Sequence, residues 1–481
     1  MFYHGSLTKE SRPSVTVSTE ATAALPFFVG TAPINLVDEK NVNKVVLAYT
    51  HEQALKAFGY SDDWEKYTLC EVIDAAFDKF KVAPIVLVNV LDPEKHKTNK
   101  SAELTVKDGQ AKIELEGVIL SSLNIVANST QLEQGKDYVA SFDKDGKVVI
   151  VLINDTDSTT LSATFNVLDP SLVTEADIIG GADVDTGAVK GLELINYVFP
   201  QYQMVPGLIV APGFSSKPTI AAVMRAKATS VNTYFKAFAL TDTDTTEASK
   251  YTDVSAWKLE NGYTSSFEAI AWPLAAYNDK VYHISTLTAL SISKIAAKNN
   301  NYPYESPSNK VLPINKAVVK EGVGKYREVI IPPDVANELN NQGILTILNF
   351  VGGWVAWGNM TAAYPEEDNL DVPNKFIPTR IMHNWICNTI VITTWAEVDG
   401  PIRRRVIDNV LDKMNIWINS LVTNEVILGG RIVFLAEDNP IENLTNGKVV
   451  FRYYVAESSP AQEIENIVEF DASYYNTLFA S

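Results

Sequence analysis

The residues best able to do chemistry in this chain are one serine, five histidines and several aspartate pairs. A serine set between glycines on a strand-to-helix turn marks an acyl-transfer nucleophile, because the sharp turn exposes its hydroxyl to a base and to backbone donors. Gly213-Phe214-Ser215 comes nearest to that pattern, but Lys217 replaces the second glycine. Phosphate-cradling loops need an upstream glycine and a Ser or Thr after Gly-Lys. Gly135-Lys136, Gly146-Lys147, Gly324-Lys325 and Gly447-Lys448 lack both, and no G-x-G-x-x-G follows a strand. His4, His51, His96, His283 and His383 share no close ligand spacing. They read as surface or hydrogen-bonded core residues rather than zinc ligands. Asp155-Thr156-Asp157, Asp183-Val184-Asp185 and Asp242-Thr243-Asp244 suggest calcium, yet the glycine and glutamate of a calcium loop are missing. They are expected to be solvated loops. No catalytic, metal or cofactor set is expected. Arg403-Arg404-Arg405 is a basic cluster with two readings, a solvated helix face or a dock for an acidic partner surface.

Composition narrows the partners. The net charge of −18 disfavours nucleic acid. Cys70 and Cys387 lie far apart in apolar segments, so a disulfide framework is not expected and a reducing compartment fits better. The first residues lack a charged start followed by an apolar run, so no signal peptide is expected. Gly343 to Ala363 is uncharged, but its glycines and asparagines favour two buried strands around a turn over a membrane span. With 481 residues, two to four domains are expected.

The elements that would position these residues fall into blocks. Residues 1–20 read as an arm in which Val15 and Val17 alternate with polar residues. Residues 21–94 read as α/β, with strands at 25–30 and 84–91 and helices at 52–58 and 69–80. Between 95 and 194 helical periodicity gives way to short alternating runs. Tight turns at Lys107-Asp108-Gly109-Gln110 and Asp143-Lys144-Asp145-Gly146 imply an inserted all-β sandwich. Residues 195–362 return to alternating β and α, which implies a parallel sheet covered on both faces. Residues 363–464 form an α+β unit. Its strongest helix, 400–422, carries a stripe of Ile402, Val406, Val410, Met414, Trp417 and Leu421. Gly429-Gly430 then ends that region, and runs at 431–438 and 448–457 follow as strands. Residues 465–481 are a terminal arm with a β-prone strip, Ile467, Val468, Glu469, Phe470 and Asp471.

From about residue 305 the chain resembles the contractile phage tail sheath family, which includes sheaths of tail-like particles and bacteriocins. The resemblance rests on Glu305-Ser306-Pro307-Ser308-Asn309, on Asn340, Gly343, Ile344 and Ile347, and on Val355-Ala356-Trp357-Gly358 with Thr361. It continues through Leu428-Gly429-Gly430, Asp438-Asn439-Pro440, Gly447 and Pro460-Ala461-Gln462-Glu463-Ile464, in the family's order. Met360 stands where the family often has Arg, so no role of that Arg transfers.

The resemblance implies a split subtilisin-like α/β core, an inserted all-β sandwich domain, an α+β C-terminal domain and extended terminal arms. It implies a structural subunit and not an enzyme. Copies would form six-fold rings stacked as a helical sheath around a tail tube protein, bounded by baseplate and tail terminator proteins, without nucleic acid or membrane. The particle would be a virion tail or tail-like particle assembled in the bacterial cytoplasm. The strips around Val15–Val17 and Ile467–Asp471 would complete sheet edges of neighbouring copies. Arg403, Arg404 and Arg405 would face the tube. The alternatives are an α/β hydrolase-type enzyme, which would need a clustered triad, and an acidic surface-layer or adhesion protein, which would need a secretion signal.

Overall fold

The structure, a computed structural model, describes residues 23–38, 41–154, 159–367 and 369–479. Val15, Val17 and the Asp155–Asp157 pair lie outside the described residues.

The chain opens with β1 (Leu25–Gly30), β2 (Val46–Ala48) and β3 (Ile85–Asn89). Seven short strands follow: β4 (Lys97–Thr105), β5 (Gln110–Ile113), β6 (Asn124–Ala127), β7 (Thr130–Leu132), β8 (Tyr138–Phe142), β9 (Val148–Leu152) and β10 (Thr160–Leu168). The two-residue strands β11 (Gly181–Ala182) and β12 (Val189–Lys190) pair with each other. Then come β13 (Pro206–Val210), β14 (Phe238–Asp242), β15 (Glu268–Ala271), β16 (Leu274–Tyr277), β17 (Lys280–His283), β18 (Lys316–Gly322) and β19 (Lys325–Val329). The last four are β20 (Ile344–Phe350), β21 (Gly353–Trp357), β22 (Ile427–Val433) and β23 (Arg452–Glu457).

One eight-stranded sheet, in the order β2-β3-β1-β13-β14-β15-β20-β21, organises the molecule. Its six inner strands run parallel, and β2 and β21 close the edges antiparallel. All residues of β1, β3, β13, β14 and β15 are buried, as near-continuous apolar runs require of strands covered on both faces. The sheet takes β1–β3 from before the all-β stretch and its other strands from after it. The helix Ile284–Lys298 threads this layer, buried for most of its length, and its Ser293 hydroxyl donates to Ala24 O at 2.7 Å.

Residues 97–168 build two antiparallel sheets, β4-β10-β6-β7 and β5-β9-β8. Alternate residues such as Tyr138, Ala140, Val148, Ile150, Leu161, Ala163 and Phe165 meet in a hydrophobic cluster separate from the main core. The turn at Asp108-Gly109 has both residues at positive φ, 50° and 73°, as a two-residue hairpin turn demands.

The uncharged run 343–363 is, as expected, two strands around a glycine turn, the β20–β21 hairpin, followed by a loop. No helix among the described residues is long and apolar enough to cross a membrane. Other expectations are corrected. The β/α alternation after 195 hid a second sheet, β17-β16-β18-β19, which is wholly antiparallel. The expected helix at 400–422 starts only at Arg404. Its buried stripe is Ile407, Val410, Met414, Ile418 and Leu421, while Ile402 is exposed. Gly429 and Gly430 do not end an element but lie inside β22, which stops at Val433 rather than running on to 438.

An 18-residue helix, Ile377–Thr394, was not expected at all. It is buried nearly all round, so it carries no amphipathic stripe to read. Its polar residues serve as hooks instead. Asn384 donates to Ala237 O at 2.9 Å, and Asn388 exchanges two 2.8 Å bonds with the Lys236 backbone beside β14.

Candidate functional site

A cleft opens at the C-terminal ends of β13 and β14, the usual ligand side of a parallel sheet. This cleft, of about 1110 Å³, is walled by the antiparallel sheet and brings Ser215, Asp242 and His283 together. The arrangement binds them to structure. Ser215 is fully buried; its hydroxyl accepts from Asp242 N at 3.1 Å and donates to Asp242 Oδ2 at 3.2 Å. Ser285 donates to the same carboxylate through its N–H, at 3.0 Å, and through its hydroxyl. His283 bonds Glu71 instead of a serine, with Nδ1 2.7 Å from Oε2 and its backbone N–H 2.7 Å from Oε1. A nucleophile needs a base within hydrogen-bond reach. Here the base is turned to a glutamate and the serine is held by an aspartate. Asp183 and Asp244 accept from nearby threonines within their own loops. Among the described residues no group of three or more His, Cys, Asp or Glu could hold a metal ion.

The residues behind the family resemblance, by contrast, converge in space. Asn309 N donates to Ala356 O at 2.7 Å, Ala356 N to Lys310 O at 3.1 Å, and Gly358 N to the Ser308 hydroxyl at 3.0 Å. The Ser-Pro-Ser-Asn segment therefore lies along β21. Gly343 has φ +64°, and a Cβ there would stand 2.1 Å from Tyr364 O, so only glycine fits. Lys258, wholly buried, drives its ammonium into the same loops and donates to Gln342 O and Tyr364 O at 2.8 Å and to Glu366 at 2.9 Å. Thr361 closes the cluster by donating to Asn374 O at 2.6 Å.

A second convergence lies near the C-terminus. β22 and β23 form an antiparallel ribbon with no third strand among the described residues. One face rests on the helix Arg404–Thr423 through Ile427 and Ile432, and Ile432 N donates to Asn415 at 3.1 Å. The long hairpin loop is held by Asp438 and Asn439. Asp438 pairs with Arg452, and Asn439 bonds Leu435 O, Val450 O and Val450 N at 2.8–2.9 Å. A two-stranded ribbon is marginal alone. Its outer edges leave backbone groups open to a further strand.

The chain leaves β23 as a run, 458–471, without regular structure. Ile464, Ile467, Val468 and Phe470 are exposed there, Val468 at 93% and Phe470 at 80%. The strip does not form a strand on its own body. Asp471 instead accepts from Ser473 N at 2.9 Å and starts the short helix Ala472–Phe479. A segment of this length spans roughly 45 Å when extended.

Arg403, Arg404 and Arg405 are exposed at the start of the helix Arg404–Thr423, with Arg404 2.9 Å from Asp408. Cations at a helix N-terminus oppose its dipole.

The fold is similar to that of solved chains from contractile injection systems. It superposes on a sheath complex of the PVC extracellular contractile injection system in its contracted state, with TM-score 0.56, 13% identity and coverage of 98% and 99% of the two chains. A chain from the anti-feeding prophage baseplate matches with TM-score 0.56 and 14% identity, over 97% of this chain and 98% of that one. By sequence the chain is similar along nearly its whole length to one phage tail sheath protein and over a shorter stretch to another. It is 24% identical to the tail sheath protein of Burkholderia phage BcepMu, over 99% of this chain and 98% of that protein. It is also 28% identical to the major tail sheath protein of Serratia phage KSP20, over 30% of this chain and 35% of that protein. No family model matches the chain.

Proposed function

We propose that this protein is the polymerising subunit of a contractile sheath, without enzymatic activity of its own. Copies would form stacked six-fold rings around a rigid tube, meet baseplate and tail terminator proteins at the ends, and contract to drive the tube through a target envelope. The observation that carries this reading is the pairing of an open two-stranded ribbon with an exposed apolar tail emerging from it. The strip Ile467–Asp471 adds to the β22–β23 ribbon of one neighbour, and the Val15–Val17 arm does the same for another. Added strands satisfy the ribbon edges and give the tail a partner it lacks on its own body. Such links persist while the bodies slide, so the whole array is coupled.

In this reading the eight-stranded unit is a subtilisin-like core, interrupted by residues 95–194 as an outward-facing β-sandwich. The C-terminal domain, 363–464, carries the ribbon. Arg403–Arg405, placed against the helix dipole, grip the tube before contraction. The extended state is metastable, and release needs no nucleotide. Near-complete switching of a subunit takes about 5.5 kcal/mol of differential free energy. The lack of a serine–histidine contact in the cleft supports a structural role over a hydrolase.

The test is electron microscopy of the purified protein at rising concentration, alone and with residues 465–481 deleted. Tubes from the full chain and folded monomers from the deletion are expected. Tubes from both would overturn the strand-addition mechanism, and monomers from both would overturn the sheath reading.

A further inference from the structure

The run 463–471 alternates in kind along its length. Ile464, Asn466, Val468 and Phe470 hold the even positions, and Glu463, Glu465, Ile467, Glu469 and Asp471 the odd ones. Successive side chains of an extended segment point to opposite faces. As a strand, the run therefore has one largely apolar face and one that carries all its charges, every one negative. No lysine or arginine occurs between 458 and 481 to answer them. Every residue from 461 to 471 is exposed, so the body of the chain covers neither face.

The β22–β23 ribbon has the converse pattern. Ile427 and Ile432 are buried on the side of the helix Arg404–Thr423, while Arg431, Arg452 and Tyr454 are exposed. The ladder sets Arg431 opposite Tyr454 and Val433 opposite Arg452, so both cations stand on the outer face. The one acidic residue of the two strands, Glu457, is buried. The two edges of the ribbon differ. On β22 one donor, Ile432 N, is already taken by Asn415 at 3.1 Å. Toward β23, the Arg431 guanidinium reaches across the ribbon and lies over the Tyr454 ring, 4.5 Å from its centre. Arg452 is paired with Asp438, whereas Arg431 meets no carboxylate among the described residues.

We propose that the outer edge of β23, with Arg431 above it, is a docking site for the acidic face of residues 463–471 of a second copy. This docking presupposes the strand addition proposed above and specifies its edge, its face and its charge match. Val468 and Phe470 turn toward the helix side of the ribbon, and Glu465 and Glu469 lie on the side of the arginines. Opposite charges on neighbouring strands attract and like charges repel. In a chain of net charge −18, whose bodies repel one another, the match supplies a local attraction between copies.

The experiment measures the protein concentration at which the full chain and its charge variants form sedimenting tubes. Glu465→Lys with Glu469→Lys is expected to raise that concentration about tenfold. The direction separates two causes. These changes reduce the net negative charge, so general repulsion alone would make assembly easier. Arg431→Glu is expected to raise the concentration as well. All three changes in one chain should bring assembly back to within about threefold of the unmutated protein. A tail variant that assembles as well as the unmutated chain or better, or a combined variant no better than its parents, overturns the proposal. The three side chains are exposed, so each monomer should keep its melting transition. Should Arg431→Glu not fold, the tail variant decides by itself. Deletion of 465–481 separates this proposal from the reading beneath it. Tubes that vanish on deletion but ignore the charges remove the charge match and leave strand addition standing. Tubes that survive the deletion remove both.

Discussion

Glu71 and His283 stand 212 residues apart in sequence yet share two 2.7 Å hydrogen bonds, one to the ring and one to the backbone. They tie the helix Thr68–Ile73, from before the all-β stretch, to the end of β17, well after it. The 1% exposed Glu71 carboxylate has its charge answered there rather than at the surface. Burial would lower the His283 imidazole, but Glu71, with Asp242 beyond it and against Lys320, holds it up near 9.

Stability should therefore fall on the alkaline side. A histidine whose folded value is raised binds more protons folded than unfolded between about 6.5 and about 9. Its stabilisation is complete below the unfolded value and is lost as pH rises through the folded one. His283 and His383 both act in this window. Urea unfolding at pH 6.5 and 9.5 should show a loss of the order of 2–3 kcal/mol for His283. The Glu71→Gln variant should be less stable at pH 6.5 and show a smaller change between the two. An equal slope in the variant would remove Glu71 as the cause.

Lys258→Met should lower stability by about 3 kcal/mol, read from the denaturant midpoint at unchanged m-value. Methionine keeps most of the volume, but the carbonyls of Gln342 and Tyr364 and the Glu366 carboxylate lose their shared donor. A change under about 1 kcal/mol would mean that the lysine does not hold these loops.

Val468→Asp with Phe470→Asp should leave the melting transition of the monomer unchanged within about 0.5 kcal/mol, since both side chains already face solvent. The same pair should suppress tube formation in sedimentation assays. Normal tubes would show that the strip takes no part in assembly.

Replacing Arg404 and Arg405 by Glu should change the stability of the helix Arg404–Thr423 by less than about 1 kcal/mol, because the gain of acidic residues in its first turn is offset by loss of the Arg404–Asp408 pair. If these arginines grip the tube, the variant should still polymerise alone but fail to co-assemble with tube protein. Undiminished co-assembly would remove them from that interface.

Much of this protein was readable in one dimension because local patterns carry local structure. Near-continuous apolar runs at 25–30 and 84–91 read as buried strands, which the structure has at Leu25–Gly30 and Ile85–Asn89, and the glycine turns at Asp108-Gly109 and Gly146 read as hairpin turns. The collinear motifs after 305 resemble the sheath family, and a tail sheath protein similar over 99% of the chain agrees. Tertiary structure alone decided the rest, because it depends on partners remote in sequence. Nothing near His383 announces Glu457, and nothing near Ser215 announces that Asp242 has claimed its hydroxyl. The helix Ile377–Thr394 hid because a helix buried on every side has no polar face to set its period. The strip Ile467–Asp471 illustrates the limit from the other side. Its residues prefer a strand, but a strand forms only when it pairs with an edge, and among the described residues the strip pairs with none.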